Sequence, residues 1–194
     1  VFRFPLDYGS QRPLSASWTV TGSGAFALGL NQKCRAHITG MTPGRIVDYG
    51  LKDSMNMGAC MAPAAADTVA RHMEDFHVTP EEYDRIITGD LGSVGQTVLI
   101  DLLREKGIDI ADRHMDCGIE IFDAEAQDTH AGGSGCGCSA VTLAAYILPK
   151  LESGEWKKVL FLPTGALLSK TSFNEGKSVP GIAHAVVLES PAVK

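Results

Sequence analysis

Apolar positions recur along the chain with two spacings, and these spacings predict a succession of strands and helices. Short apolar runs rich in Val, Ile, Thr and aromatic residues predict strands, whereas apolar residues three and four positions apart predict helices. The predicted strands cover 17–30, 34–41, 84–88, 117–122, 159–163 and 182–189, with 45–49 extending the second. The predicted helices cover 59–76, a single turn from Thr79, 93–106 and 139–151.

Proline, threonine and glycine mark the ends of several predicted helices. Pro63 suits the first turn of its helix. Thr79 is a good N-cap with Pro80 at the first helical position, and Gly107 follows a helix where a C-terminal glycine belongs. The segments predicted to be surface or mobile loops are 1–14 and 170–181.

The order of these elements predicts an α/β fold, because helices alternate with short apolar strands. The 194 residues are enough for one compact domain, and 44% apolar with 21% charged residues is a soluble globular composition. No apolar run reaches the roughly 18 to 20 residues that a membrane-spanning helix needs. The chain also shows no charged start followed by an apolar core, so no signal peptide is predicted.

Charge and cysteine usage exclude several classes of protein. A net charge of −6 with no basic face argues against a nucleic-acid partner. Five cysteines are an odd number without a regular framework, which predicts reduced thiols in a cytosol-like compartment. Cys34, Cys60 and Cys117 are interpreted as small buried apolar residues. Cys136 and Cys138 lack the spacing of a zinc ribbon, and the sequence predicts neither a metal site nor a cofactor.

The segment 131–140 (AGGSGCGCSA) carries the strongest chemical signal. Glycine-rich backbone before a helix allows amide groups to approach a carboxylate, a thioester oxygen or a phosphate. The same segment is equally consistent with a tight loop packed against a neighbouring part of the protein. A thiol nucleophile at Cys136 or Cys138 would need a base, and His114 and His184 are the candidates.

Four further residues are candidate ligand contacts. Gly89 and Asp90 follow a strand and precede a helix, where α/β proteins gather their ligands, although a plain helix cap is the favoured role of Asp90. His114 lies among acidic residues, which predicts a solvated loop and favours the charged imidazole. His184 has apolar neighbours and is interpreted as a core or pocket-wall residue.

Seven phrases of the sequence, in order along nearly the whole chain, resemble the stage V sporulation protein AD family of spore-forming bacteria. They are VTGSGA (20–25), MAPAAADT (61–68), ITGDLGSVG (87–95), DCG (116–118), AGGSGCGCSA (131–140), TGALLS (164–169) and IAHAVVLE (182–189). Any one phrase alone is a weak signal, but together they are highly specific.

The resemblance implies a thiolase-like fold, in which two similar α/β halves pack face to face. Residues 1–32 are then a loop and the last strand of the N-terminal half, and 33–194 are the layered α/β/α C-terminal half. The chain begins within an extended, proline-containing segment and lacks an initial Met, so we expect a portion of a longer protein. The expected partners include the N-terminal half of the same protein and a second copy in a homodimer.

The sequence differs from the catalytic members of the superfamily at two motifs. Condensing enzymes with a Cys-His-Asn triad place their His near Gly89-Asp90 and their Asn near 134–136, and neither residue type occurs in these motifs. We therefore expect no catalytic residue in this chain. The alternative is an acyltransferase of the thiolase or ketoacyl-acyl carrier protein synthase type, and a scaffold with a vestigial pocket is a third reading.

The function implied by the family is binding of dipicolinic acid, with or without calcium. Such a protein would work with the other proteins of the stage V sporulation A membrane complex, as a peripheral component on the cytoplasmic face of the forespore or spore inner membrane. The candidate ligand-binding residues are Gly89, Asp90, His114, Ser134, Gly135, Cys136, Cys138 and His184.

Overall fold

The structure is a computed structural model that describes residues 14–30 and 33–191 of the chain. The strands are β1 (Trp18–Thr19), β2 (His37–Thr42), β3 (Arg85–Thr88), β4 (His114–Asp116), β5 (Gly133–Ser134), β6 (Lys158–Leu162), β7 (Thr164–Ala166), β8 (Gly181–Ala183) and β9 (Ala185–Glu189). The helices are α1 (Met57–Phe76), α2 (Gly92–Arg104), α3 (Cys117–Glu120), α4 (Ala124–Gln127), α5 (Cys138–Thr142), α6 (Leu148–Glu152) and α7 (Lys170–Asn174). A π-helical turn, Leu143–Ile147, joins α5 to α6, so these three segments form one continuous helical stretch.

A five-stranded mixed sheet in the order β2-β9-β6-β3-β4 is the centre of the fold. The pairs β6–β3 and β3–β4 are parallel, whereas β2–β9 and β9–β6 are antiparallel. Ile86 of β3 lies opposite Leu160 on one side and His114 on the other. The parallel strands therefore deliver their C-terminal ends to one edge of the sheet.

Successive side chains of the central strands pack alternately into two separate apolar cores. Ile86 and Leu160 point toward α1 and α2, and Ile87 and Phe161 point toward the α5–α6 stretch. This alternation is the period of two that a strand buried on both faces requires. The predicted layered α/β/α arrangement is confirmed.

Helix α1 is longer than predicted because its cap lies upstream of the predicted start. The Asn56 side chain accepts a hydrogen bond from the amide of Ala59 at 3.3 Å and begins the helix at Met57. Pro63 consequently lies in the helix interior and not in the first turn, where it was predicted. In the described residues no helix is long and apolar enough to cross a membrane.

Three predicted strands differ from the structure. The prediction of a strand at 117–122 is wrong, because the strand there is β4 and helix α3 begins directly after it. Of the predicted strand 17–30, only β1 forms a ladder, through its pairing with β5. The predicted strand 182–189 is two strands, β8 and β9, separated at His184.

The loop predictions have mixed outcomes. The helical turn after Thr79 is confirmed as a 3-10 turn, Pro80–Glu82. The segment predicted as a mobile loop at 170–181 contains α7, which Ser169 begins with a reciprocal capping box. The predicted extension of β2 at 45–49 is reduced to one bridge between Val47 and Gly181. The loop predicted at 1–14 lies almost wholly outside the described residues.

Candidate functional site

The candidate site lies at the edge where the parallel strands β3, β4 and β6 end. Gly89 and Asp90 follow β3, Asp116 ends β4, and Thr164 comes shortly after β6. The glycine-rich loop 133–138 approaches the same edge. We call this group the strand-end site. Proteins with open α/β sheets bind their ligands at this end of the strands.

Asp116 is the structural centre of the strand-end site. Its carboxylate is 1% exposed and accepts four hydrogen bonds. The donors are Thr88 Oγ1 at 2.6 Å, Leu91 N at 2.9 Å, Gly92 N at 3.0 Å and Gly118 N at 3.0 Å. One buried side chain therefore satisfies the starts of both α2 and α3, whose first amides have no partner within their own helices.

His114 supports this carboxylate through Thr88. Because the Thr88 hydroxyl donates to Asp116, it accepts a hydrogen bond from His114 Nε2 at 3.0 Å. His114 Nδ1 accepts from the Gln96 amide at 2.9 Å, which completes a neutral imidazole with its proton on Nε2. His114 also lines an open surface cleft with Arg85 and Trp156.

The environment of His114 overturns the expectation of a charged loop residue. The residue lies in β4, and burial lowers the pKa of its imidazole to about 4, although the neighbouring Asp116 charge opposes the change. Desolvation disfavours the charged form more strongly than the nearby carboxylate favours it. His114 is therefore neutral at physiological pH.

Asp90 joins two loops and does not cap a helix. Its Oδ2 accepts a hydrogen bond from Gly135 N at 2.9 Å, and its Oδ1 accepts from Thr164 Oγ1 at 3.0 Å. Helix α2 has Leu91 at its N-cap position without a side-chain bond, so the favoured capping role of Asp90 is wrong. Burial raises the pKa of the Asp90 carboxyl, and the bonds from Gly135 and Thr164 partly offset that rise.

Close backbone packing fixes the glycine-rich loop against the rest of the site. A Cβ on Gly89 would lie 2.7 Å from Ser139 Oγ and from the amide nitrogen of Thr164, so a side chain there has no room. Ser134 pairs with Thr19 across the parallel β1–β5 ladder. Gly135 has a φ of +111°, a conformation that side chains rarely adopt.

The two cysteines of the loop have opposite environments. Cys136 is exposed, whereas Cys138 is fully buried and donates its thiol hydrogen to Gly89 O at 3.7 Å. Burial, with the nearby Asp90 and Asp116 charges, raises the pKa of the Cys138 thiol to about 12. A thiol with such a pKa supplies almost no thiolate at neutral pH.

Among residues 14–30 and 33–191, no hydrogen bond or ion pair joins His184 to the strand-end site. Its side chain is exposed at the break between β8 and β9, and its Nδ1 accepts a hydrogen bond from Gly44 N at 3.0 Å. The interpretation of His184 as a core residue is therefore wrong. The structure gathers Gly89, Asp90, Ser134, Gly135 and Cys138 at one edge, and links His114 to it through Thr88.

Sequence reasoning missed four residues of the site, namely Thr88, Gln96, Asp116 and Thr164. Asp116 had a usable signal, since an acid at a strand end before Cys-Gly can cap the next helix. Within 14–30 and 33–191, no Lys or Arg forms an ion pair with Asp90 or Asp116. No group of three or more His, Cys, Asp or Glu side chains in that part of the chain is arranged for a metal ion.

The sheet, its two helical layers and the strand-end site define a layered α/β/α protein. Solved structures of this type are partly similar to the chain. An acetyl-CoA acetyltransferase from Syntrophomonas wolfei shares 14% identity and a TM-score of 0.49, over 81% of this chain and 32% of that one. The human mitochondrial 3-ketoacyl-CoA thiolase shares 15% identity and a TM-score of 0.42, over 80% and 30%. The 3-oxoacyl-[acyl-carrier-protein] synthase III from Aquifex aeolicus VF5 shares 15% and 0.43, over 81% and 46%.

Sequence comparison gives the particular family. The family model of stage V sporulation protein AD matches residues 1–189. The stage V sporulation protein AD of Bacillus subtilis (strain 168) is 44% identical over 188 residues, which are 97% of this chain and 55% of that protein. The chain belongs to the stage V sporulation protein AD family, and it spans about half the length of this relative.

Proposed function

We propose that the chain is the ligand-binding half of a non-catalytic dipicolinate-binding protein. It acts with the other proteins of the stage V sporulation A membrane complex to move dipicolinate in sporulation and germination. Membership of the family supports this role. The proposal that the protein is non-catalytic rests on the strand-end site. Asp90 lies near the position expected for a catalytic His, and there it accepts a hydrogen bond from the glycine-rich loop.

The chemistry of the described side chains opposes the alternative of an acyltransferase. Condensation at a thiolate needs a low thiol pKa and a polarising base, whereas the Cys138 thiol has a pKa of about 12. The two candidate bases are engaged elsewhere: His114 bonds Thr88 and Gln96, and His184 bonds Gly44. Loss of one oxyanion-hole donor typically costs roughly 10²–10³ in rate.

A small dicarboxylate is the ligand class that we propose for this site. The amides of Gly135 and Cys138 already donate to Asp90 and to Gly135 O, so the proposed donors for a carboxylate are the amides of Cys136 and Gly137. The α5–α6 stretch directs its positive end toward them. The chain carries a net charge of −6 and two carboxylates at the site, so a ligand whose charge is neutralised is repelled less. Calcium dipicolinate meets that condition. The proposed contacts at the strand-end site are Gly89, Asp90, Ser134, Gly135, Cys136 and Cys138. His114 reaches the site only through Thr88, and His184 lies apart from it.

The proposed partners follow from the same family. They are the N-terminal half of the protein, a second copy in a homodimer, and the membrane proteins of the complex. The proposed location is the cytoplasmic face of the forespore or spore inner membrane, where this protein is held peripherally by those partners.

Calorimetric titration of the intact protein with calcium dipicolinate tests this function. Saturable binding is expected, with an unrelated dicarboxylate as the ligand control. Gly135→Ala should weaken binding about tenfold or more, because a side chain at positive φ strains the loop by roughly 1–3 kcal/mol. Gly176→Ala is the matched control, since it is also at positive φ but has open space around it. Absence of binding by folded protein would refute the proposed ligand.

A further inference from the structure

The carboxylate of Asp90 already accepts a hydrogen bond from one backbone amide of the glycine-rich loop. Its Oδ2 accepts from Gly135 N at 2.9 Å, so one loop donor is bonded to an internal anion. Thr164 fixes this geometry, because its hydroxyl donates to Asp90 Oδ1 at 3.0 Å and accepts from Asp90 N at 3.1 Å. The Cys138 amide also donates within the loop, to Gly135 O at 3.0 Å. A ligand carboxylate on the remaining amides of Cys136 and Gly137 would therefore lie beside the Asp90 carboxylate.

Asp116 adds a second negative charge close to Asp90, whereas the neighbouring thiols of Cys117 and Cys138 stay protonated at neutral pH because burial raises the pKa of each. The titratable groups that interact with it are Asp116 at the end of β4, Cys117 of α3 and Cys138 of α5. In the described part of the chain, no Lys or Arg forms an ion pair with Asp90. Two carboxylates that share one site do not both ionise readily. One of them must therefore gain a proton or pair with a cation.

We propose that Asp90 takes up one proton from solvent when a carboxylate ligand binds to the loop 134–138. Protonation at Oδ2 releases Gly135 N–H for the ligand, and the new O–H donates a hydrogen bond to the ligand in place of repulsion. No covalent bond other than O–H forms, and one solvent proton is consumed for each ligand bound. This inference rests on the proposed function and adds to it a proton linkage and the residue responsible.

The observations on Asp90 favour a proton over a cation as the neutralising species. The side chain is half-buried and both its oxygens are bonded to protein donors, which leaves few free lone pairs for a metal ion. Burial raises the pKa of the carboxyl, which eases protonation. On binding, the Gly135 amide then donates its hydrogen bond to the ligand and no longer to Asp90, and the strands do not move.

Titration calorimetry of the intact protein with calcium-free dipicolinate measures the linkage directly. Titrations at pH 6.5, 7.5 and 8.5, each in two buffers of different ionisation enthalpy, give the number of protons taken up per ligand. Ordinary carboxyl groups are fully ionised in this range, so the ligand itself contributes little. We expect a net uptake of protons on binding, with an affinity that falls as the pH rises through this range.

Asp90→Asn separates the proposed role from a merely structural one. The amide is neutral at every pH, so this variant should bind dipicolinate with proton uptake near zero and an affinity that does not change with pH. Asp101→Asn is the matched control, because Asp101 is an exposed carboxylate on α2, and it should retain the wild-type linkage. Thr164→Val provides a second variant that keeps the carboxylate. Loss of its donated bond raises the Asp90 pKa, so the fall in affinity should move to higher pH.

Each result decides between the inference and the proposed function. Binding without proton uptake in the wild type, or an unchanged pH dependence in Asp90→Asn, overturns the inference and leaves dipicolinate binding intact. Binding that occurs only with added Ca²⁺, again without proton uptake, also overturns it, because a cation then neutralises the site. No binding by the folded wild type at any pH or Ca²⁺ concentration overturns both.

Discussion

At the scale of single residues, the strand-end site is organised around one buried carboxylate and one neutral histidine. Asp116 accepts four hydrogen bonds, and His114 reaches it through the Thr88 hydroxyl. A charged His114 would need Nδ1 to donate, yet Nδ1 accepts from Gln96. Protonation therefore removes a hydrogen bond as well as burying a charge.

This arrangement predicts a stability that depends on pH through His114. The pKa of His114 is about 4 in the folded state, against 6.5 for an ordinary histidine. The stability that the protein gains from neutral His114 is therefore complete above pH 6.5 and is lost as the pH falls toward 4. Between pH 7.5 and 4.5, the free energy of unfolding should fall less in His114→Gln than in the wild type. Urea denaturation measures the difference. The exposed His37→Gln should behave as the wild type, and an equal fall in all three proteins contradicts the prediction.

The thiols of the glycine-rich loop should differ in reactivity. Cys136 is exposed, whereas Cys138 is buried and burial raises its pKa to about 12. Brief treatment of the native protein with N-ethylmaleimide at pH 7.5, followed by peptide mass spectrometry, should show Cys136 modified and Cys138 intact. Unfolding in urea should make both reactive. Rapid modification of Cys138 in the native protein, or an acyl adduct on it after incubation with acyl-CoA, would restore the enzymatic alternative.

The sequence identified the location of the site better than the roles of its residues. The positions of Gly89, Asp90 and the loop 131–140 were predictable, because glycine clusters next to strands and helices have a local signature. The role of Asp90 was not predictable, because its partner Gly135 lies 45 residues away in the sequence. A helix cap depends on neighbours within three residues, and local reasoning favours it for that reason.

At the scale of elements, the contact between α1 and α2 depends on two glycines. A Cβ on Gly95 would lie 2.9 Å from three backbone atoms of Gly58, and a Cβ on Gly58 would lie 2.2 Å from Leu91 O. The helices approach at this point with no space for a methyl group. Because the α2 N-terminus is bonded to Asp116, a displacement of α2 would also disturb the strand-end site.

Gly95→Ala should therefore destabilise the protein although alanine favours helices. The clash is with backbone, so relief requires movement of a whole helix, and we expect a loss of about 1–3 kcal/mol in the free energy of unfolding. Gly29→Ala is the matched control, since nothing lies within 4 Å of its added Cβ. Chemical denaturation of both variants checks the prediction. A Gly95→Ala variant as stable as the control would show that the two helices separate freely.

The elements that were predicted well are those with long periodic patterns or strong ends. Helices α1 and α2 and the α5–α6 stretch agree with their predictions to within two residues at each end. The strand predicted at 117–122 failed because the Asp116 side chain accepts from Gly118 N and starts a helix there. The segment 20–30 has strand-forming residues, but a strand needs a pairing partner, and its ladder with the described residues ends at Thr19.

At the scale of the whole molecule, apolar side chains are concentrated on the segment that follows β1. Leu28 is 81% exposed and Leu30 fully exposed, and Phe26 is exposed beside them. This segment approaches Ala140 and Val141 of α5, and Tyr146 of the π-helical turn that continues α5 is also exposed. Contiguous apolar surface of this kind marks a place where other protein packs. The relative from Bacillus subtilis is nearly twice as long as the matched region, so its remaining length is sufficient for such a partner.

We therefore predict that the N-terminal half of the intact protein covers these side chains. The 194-residue chain alone should bind the apolar dye ANS strongly and associate at micromolar concentration, and the intact protein should do neither. Replacing Leu28 and Leu30 by Ser should reduce dye binding by the isolated chain, because the apolar surface is removed. The same pair of changes should lower the thermal stability of the intact protein, because there the two leucines are buried. If both proteins bind dye equally, or the paired change leaves the intact protein unaffected, this surface faces solvent or another molecule and the two halves meet elsewhere.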